Sequence, residues 1–165
     1  KVVDSRKTIP GLRLAQKYAV QVGGGTNHRV GLYDGILIKE NHIATAGGVR
    51  AALQDAYAII AAPDIAARPK KPFIQIEVEY LEQLTEALQA GATMVLLDNM
   101  SHEQIAQAVR INREQFHGQA VLEVSGNVSL DTIRSYAELG VDRISSGSLT
   151  KHVRAIDYSM RVHAI

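Results

Sequence analysis

The sequence predicts an α/β fold of about six parallel strands, and three observations carry that reading. Short apolar runs alternate with amphipathic segments after residue 72, each strand–helix unit taking roughly 20–30 residues. Each of the later amphipathic segments closes near a glycine: Gly91, Gly118 and Gly140. The apolar runs end on polar residues, with Arg6 and Lys7 just past the first, then Lys39, Glu77, Asp98, Ser125 and Ser146. In a parallel sheet these ends share one side and ligands collect there, whether the sheet closes into a (β/α) barrel or stays open and doubly wound. The pattern alone leaves both architectures open.

Residues 2–4 read as the end of a strand. Pro10 stands where a helix can start, with Thr8 as a nearby cap, and Leu12, Leu14, Tyr18, Ala19 and Val22 form an apolar face that ends at Gly23-Gly24-Gly25. Residues 35–38 are a short apolar strand ending at Lys39, and 49–62 read as a helix. Three prolines between 62 and 72 predict a loop or insertion, the least ordered part of the chain. Strands follow at 73–77, 94–98, 121–125 and 143–147. Helices between them are marked by Leu81, Leu84 and Leu88, by Ile105, Ala108, Val109 and Asn112, and by Leu130, Ile133 and Tyr136. Glu79 is expected to begin the first of these, and residues 154–162 to form a closing helix.

The length suits one domain with a sizeable core, taken as residues 1–165. There is no apolar run of about 18 residues, so no membrane span is expected. The absence of cysteine removes disulfides, zinc–thiolate sites and cysteine nucleophiles, and fits a cytoplasmic protein. A net charge of +1 and few aromatics argue against a nucleic-acid partner. The chain opens on Lys1-Val2-Val3, not methionine, and reads as a piece of a longer one.

Charge is unevenly placed. The first 42 residues hold seven Lys or Arg against three acids, although the whole chain is only +1. Arg6, Lys7, Arg29 and Lys39 sit at the ends of apolar runs or beside turns, which suggests a pocket for an anion with more than one negative group; surface ion pairs are the plainer alternative. His28 is either a hydrogen-bonding partner of that anion or a turn histidine, and His42 is read as a helix cap. Glu77 and Asp98 end apolar strands, where a charge needs a partner. They suit magnesium or sugar hydroxyls, or ion pairs with Lys39 or Arg29. Glu123 is a secondary candidate on the Ser125 face. Ser125-Gly126-Asn127 and Ser146-Gly147-Ser148 are small-residue turns at the last strand exits, where barrels often hold phosphate, and Lys151 lies close by.

Several segments together resemble the quinolinate phosphoribosyltransferase (nicotinate-nucleotide pyrophosphorylase) family. They are DSRKTIPGLRLAQKYAVQVGGGTNHRVGLYDGILIKENHI, IEVEYLEQLTEAL, MVLLDN, EVSGN and SSGSLTKH, and they cover almost the entire chain in order. The resemblance implies an incomplete, TIM-barrel-like (β/α) barrel of about six parallel strands, with an N-terminal domain outside this chain. It implies quinolinate and phosphoribosyl pyrophosphate as substrates, Mg2+ as cofactor, and a homodimer or higher homo-oligomer sharing its active sites. Ser5, Arg6, Lys7, His28, Arg29 and Lys39 would line the quinolinate pocket. Glu77 and Asp98 would face the ribose, the pyrophosphate and the metal, directly or through water, and with Lys39 carry the chemistry. Ser125, Gly126, Asn127, Ser146, Gly147 and Ser148 would hold the phosphate end. A partner-subunit arginine expected from the family lies outside this chain. The alternatives are a relative acting on another aromatic acid and a fragment that binds ligand without turnover.

Overall fold

The computed structural model describes residues 1–163. Strands β1 (Val2–Val3), β2 (Gly35–Ile38), β3 (Phe73–Val78), β4 (Met94–Asp98), β5 (Val121–Ser125) and β6 (Arg143–Ser145) form one sheet. Its order is β1-β6-β5-β4-β3-β2 and every pairing is parallel. β1 and β2 are the two edges, so the sheet is an open arc, a half-barrel. Eight strands close the usual (β/α) barrel, and six leave a gap. Part of that gap is occupied by the segment after the triple glycine, where Thr26 bridges Val3 in the parallel sense.

Helices α1 (Arg13–Val22), α2 (Glu40–Ala46), α3 (Val49–Ala61), α4 (Pro63–Ala66), α5 (Leu81–Gln89), α6 (His102–Gln115), α7 (Ile133–Glu138) and α8 (Ser148–Lys151) connect the strands. Strand side chains alternate between two faces. One set, Ile38, Ile74, Ile76, Val78, Val95, Leu97, Leu122 and Val124, is buried in a core with Leu53, Leu84, Leu88, Ile105 and Ala108 of the helices. Burying this apolar surface is the main drive for folding. The other set is mostly polar: Gln75, Glu77, Asp98, Glu123, Ser125, Arg143 and Ser145, with Leu37 and Leu96 among them. The parallel register places Glu77 beside Leu96, Leu96 beside Glu123, and Asp98 beside Ser125. The concave face is therefore built for chemistry and the convex face for stability.

Several expectations are corrected. α1 begins at Arg13, with Thr8 accepting a hydrogen bond from Arg13 Nε instead of capping the helix. The apolar face of α1 is not buried in this chain: Leu14, Tyr18 and Val22 are each about 70% exposed, and Lys17 is the helix's buried residue. Residues 154–162 form no helix. Ile156, Tyr158, Met160 and Val162 are all exposed, so packing of an apolar face does not stabilise a helix here. Glu79 precedes the helix, which starts at Leu81. α2 was not expected, because its seven residues bury a single apolar side chain, Ile43. At its start His42 Nδ1 accepts from the Lys39 N–H at 2.9 Å, matching the capping role read for His42. The proline-rich stretch is partly ordered, since Pro63 opens the one-turn α4.

Candidate active site

The C-terminal strand ends and the loops after them enclose a cavity of about 640 Å³. All fourteen residues expected at the site line it: Ser5, Arg6, Lys7, His28, Arg29, Lys39, Glu77, Asp98, Ser125, Gly126, Asn127, Ser146, Gly147 and Ser148. The secondary candidates Glu123 and Lys151 line it as well. Arg29 and Lys39 thus share one pocket and do not lie on remote surfaces.

Lys39 crosses from β2 to β3 and donates to both oxygens of Glu77, at 2.9 and 3.0 Å. This is the ion pair weighed from sequence. Burial works against the Lys39 ammonium, but the hydrogen bonds and charge of Glu77 outweigh it and raise the lysine above its ordinary value. Burial pushes the Glu77 carboxyl up, and Lys39 offsets only part of that rise. Asp98 accepts from Ser125 Oγ and, at 2.8 Å, from Asn99 Nδ2. Its carboxylate is thereby held at the mouth of the arc.

On the other side stand the cations. The Arg29 guanidinium donates to the Gly35 carbonyl at 3.1 Å. Burial and the nearby positive charge of Arg6 both lower its proton affinity. Two guanidiniums facing each other destabilise the empty pocket and favour an anion between them. His28 is buried, edge-on to Phe73 with ring centroids 5.4 Å apart. Its Nδ1 accepts from the Arg29 N–H at 2.8 Å, so in the neutral ring Nε2 carries the proton and donates it to Gln75 Oε1 at 2.5 Å. Burial lowers the His28 pKa despite the opposing charge of Glu123. Its imidazole is therefore expected to titrate below 6.5, measured by NMR of its ring protons. Between that midpoint and pH 6.5 the unfolded chain holds more of this proton, so the contribution of His28 to stability rises with pH and is complete above 6.5. A midpoint above 6.5 would show that the charge of Glu123 outweighs burial at this ring.

The first of the small-residue turns has a steric reason. Gly126 has φ +100°, and a Cβ there would collide with the Asn99 side chain, so glycine lets the β5 exit pack on the β4 exit. At Gly147 a Cβ would lie 3.5 Å from Lys7 Cδ, 3.6 Å from Ser5 Oγ and 3.7 Å from Lys151 Cδ, so this turn meets the first cationic arm. Ser146 and Ser148 hydroxyls are hydrogen-bonded to each other at 2.6 Å.

Sequence reading missed Asp4, Asn99 and His152, which also line the cavity. Asp4 immediately precedes the Ser5-Arg6-Lys7 run, and as an acid at a strand end it carried the same signal as Glu77 and Asp98. Asn99, at φ +51°, and His152 gave no sequence signal. Among the described residues no three His, Cys, Asp or Glu side chains cluster as a metal cage.

Residues 1–161 match the family model described as quinolinate phosphoribosyl transferase, C-terminal domain. The chain belongs to that family. Family relatives include the nicotinate-nucleotide pyrophosphorylase [carboxylating] of Mycobacterium leprae, 44% identical over 160 residues, covering 97% of this chain and 53% of the relative. The probable enzyme of the same name from Bacillus subtilis is 40% identical over 162 residues, covering 98% and 52%. Among solved structures of the family, NadC from Streptococcus pyogenes superposes with a TM-score of 0.86 at 44% identity, covering 98% of this chain and 53% of that one. The chain thus spans about half the length of the family relatives it matches.

Proposed function

We propose that this protein transfers the phosphoribosyl group of phosphoribosyl pyrophosphate to the ring nitrogen of quinolinate. Carbon dioxide is lost, and nicotinate mononucleotide and pyrophosphate are formed in de novo NAD biosynthesis. One observation carries this reading: Arg6, Lys7 and Arg29 line a single cavity together with Glu77 and Asp98. Family membership supports the same chemistry.

Three cations suit two carboxylates on one pyridine ring, with arginine gripping a carboxylate bidentately and lysine adding a point charge. As the pyrophosphate leaves, the ribosyl carbon gains positive, oxocarbenium-like charge, which the carboxylates of Glu77 and Asp98 stabilise. Lys39 holds Glu77 in place from the other side. Ser125-Gly126-Asn127 and Ser146-Gly147-Ser148, with Lys151, receive the phosphate end. Holding the ring nitrogen against the sugar carbon supplies much of the rate. Once that bond forms, CO2 leaves the carbon beside the ring nitrogen, the positive pyridinium stabilises the electron pair left on that carbon, and a proton from water takes it up. No covalent nucleophile is needed.

The donor set suits Mg2+ that arrives with the substrate. Two carboxylates without a protein cage match an ion that keeps its waters and binds phosphate oxygens. Glu77 and Asp98 would hold it, directly or through water, and it would neutralise the departing pyrophosphate. The exposed apolar residues of α1 support a homo-oligomer with shared sites. No helix of the described residues is long and apolar enough to cross a membrane, and a cysteine-free chain supports a cytoplasmic setting. The half-length coverage favours one second reading, a unit that binds quinolinate without turnover.

Isothermal titration with quinolinate beside an assay for nicotinate mononucleotide tests both readings. Binding with product supports the first, binding alone supports the second, and no binding rejects both. Arg29→Ala is expected to weaken quinolinate binding by about 30-fold, the loss of a charge-assisted pair, with phosphoribosyl pyrophosphate binding nearly unchanged. Equal loss of both would remove Arg29 from the dicarboxylate pocket.

A further inference from the structure

Helix α1 buries the wrong kind of residue for an ordinary amphipathic helix. Its apolar side chains are exposed, while Lys17 is 3% exposed. A lysine is almost never so buried unless it is paired. Lys17 Nζ donates to Asp4 Oδ1 at 2.5 Å and to the His28 carbonyl at 3.1 Å. The same Asp4 oxygen accepts from the His28 N–H at 2.7 Å, and Asn27 Nδ2 donates to the other Asp4 oxygen at 2.7 Å. One turn earlier on the helix, Arg13 donates to the Arg6 carbonyl and to the Val30 carbonyl, both at 3.4 Å. Arg13 and Lys17 do not line the cavity. Each bonds both to the segment that carries Arg6 and Lys7 and to the segment that carries His28 and Arg29, Arg13 reaching the first through Thr8 as well.

We propose that Arg13 and Lys17 are positioning residues. From behind the pocket they set the distance between the Arg6–Lys7 arm and the His28–Arg29 arm, and so its preference for a ring with two carboxylates over a ring with one. The inference rests on the substrate reading given above. The two arms come from different parts of the chain, β1 and the segment after the triple glycine. Backbone contact between them runs through Thr26, two residues short of the pocket cations, with Asp4 N–H donating to the Thr26 carbonyl at 3.1 Å. Beyond that point Asp4 binds Asn27 and the His28 N–H directly, and the two α1 cations brace that junction from behind. A dicarboxylate needs both arms in register, whereas a monocarboxylate needs only one.

The test is isothermal titration of Arg13→Gln and Lys17→Met with quinolinate, nicotinate and phosphoribosyl pyrophosphate. Quinolinate affinity is expected to fall about tenfold, the loss of one charge-assisted hydrogen bond, while the other two ligands stay within about twofold. Affinity for all three falling together would mark Arg13 and Lys17 as merely structural and overturn the proposal, as would unchanged quinolinate affinity. Lys17→Met leaves the Asp4 charge buried without its partner and is at risk of not folding. Arg13→Gln, at a partly exposed position, then carries the same test. If the unaltered protein does not bind quinolinate, the substrate reading falls and this proposal with it. If it binds and the variants bind equally, only the positioning role falls.

Discussion

Glu77→Gln combined with Asp98→Asn is expected to lower the rate of nicotinate mononucleotide formation by about 10²–10³-fold or more, the scale set by removing a single preorganised electrostatic group. Both substitutions keep shape and remove charge. The two side chains cap adjacent strands on the concave face, and neither has another role in the core. Quinolinate affinity should change little, because the proposed partners of its carboxylates are Arg6, Lys7 and Arg29. The magnesium dependence of the reaction should weaken with the rate. Single-turnover product formation across a magnesium series checks this. Unchanged turnover with unchanged magnesium dependence would remove the pair from the mechanism. The Lys39 ammonium, raised chiefly by its hydrogen bonds to Glu77 against the effect of burial, should also lose proton affinity in this variant.

Glu123→Gln is expected to cost about 3–5 kcal/mol of stability, the usual penalty for leaving one partner of a buried ion pair alone. Glu123 is fully buried, 2.9 Å from Arg143 Nε and 3.8 Å from His28 Nε2. Such a loss is a large share of the roughly 5–15 kcal/mol that holds a typical domain together. Replacing both partners, as Glu123→Leu with Arg143→Met, should recover most of it, since no charge is then left uncompensated. Urea unfolding of the three proteins checks this. A Glu123→Gln variant within about 1 kcal/mol of the parent would mean the pair is well solvated, against its burial.

How much of this was legible in the sequence depended on the range of the interaction. The βα units were legible because strand and helix periods are local. Gly91, Gly118 and Gly140 marked the helix ends, and Leu84, Leu88 and Ile105 marked the faces that became the core. The polar strand ends were legible for the same reason: Glu77 and Asp98 interrupt apolar runs where a charge is costly without a use. The closing helix at 154–162 failed because its apolar residues find nothing to pack against, which no local pattern reveals. The short α2 failed because seven residues carry too little period to read.

The sequence by itself determined the class of fold, the run of strands and the polar strand ends that line the cavity. Each of these follows from neighbours a few positions apart. Only the tertiary structure decided that Lys17 rather than Tyr18 is the buried face of α1, and that Asp4 and Lys17 tie the two cationic arms together. Those outcomes turn on pairings between distant segments. A lysine looks the same in a sequence whether its charge meets water or a buried carboxylate, and only the folded chain sets which.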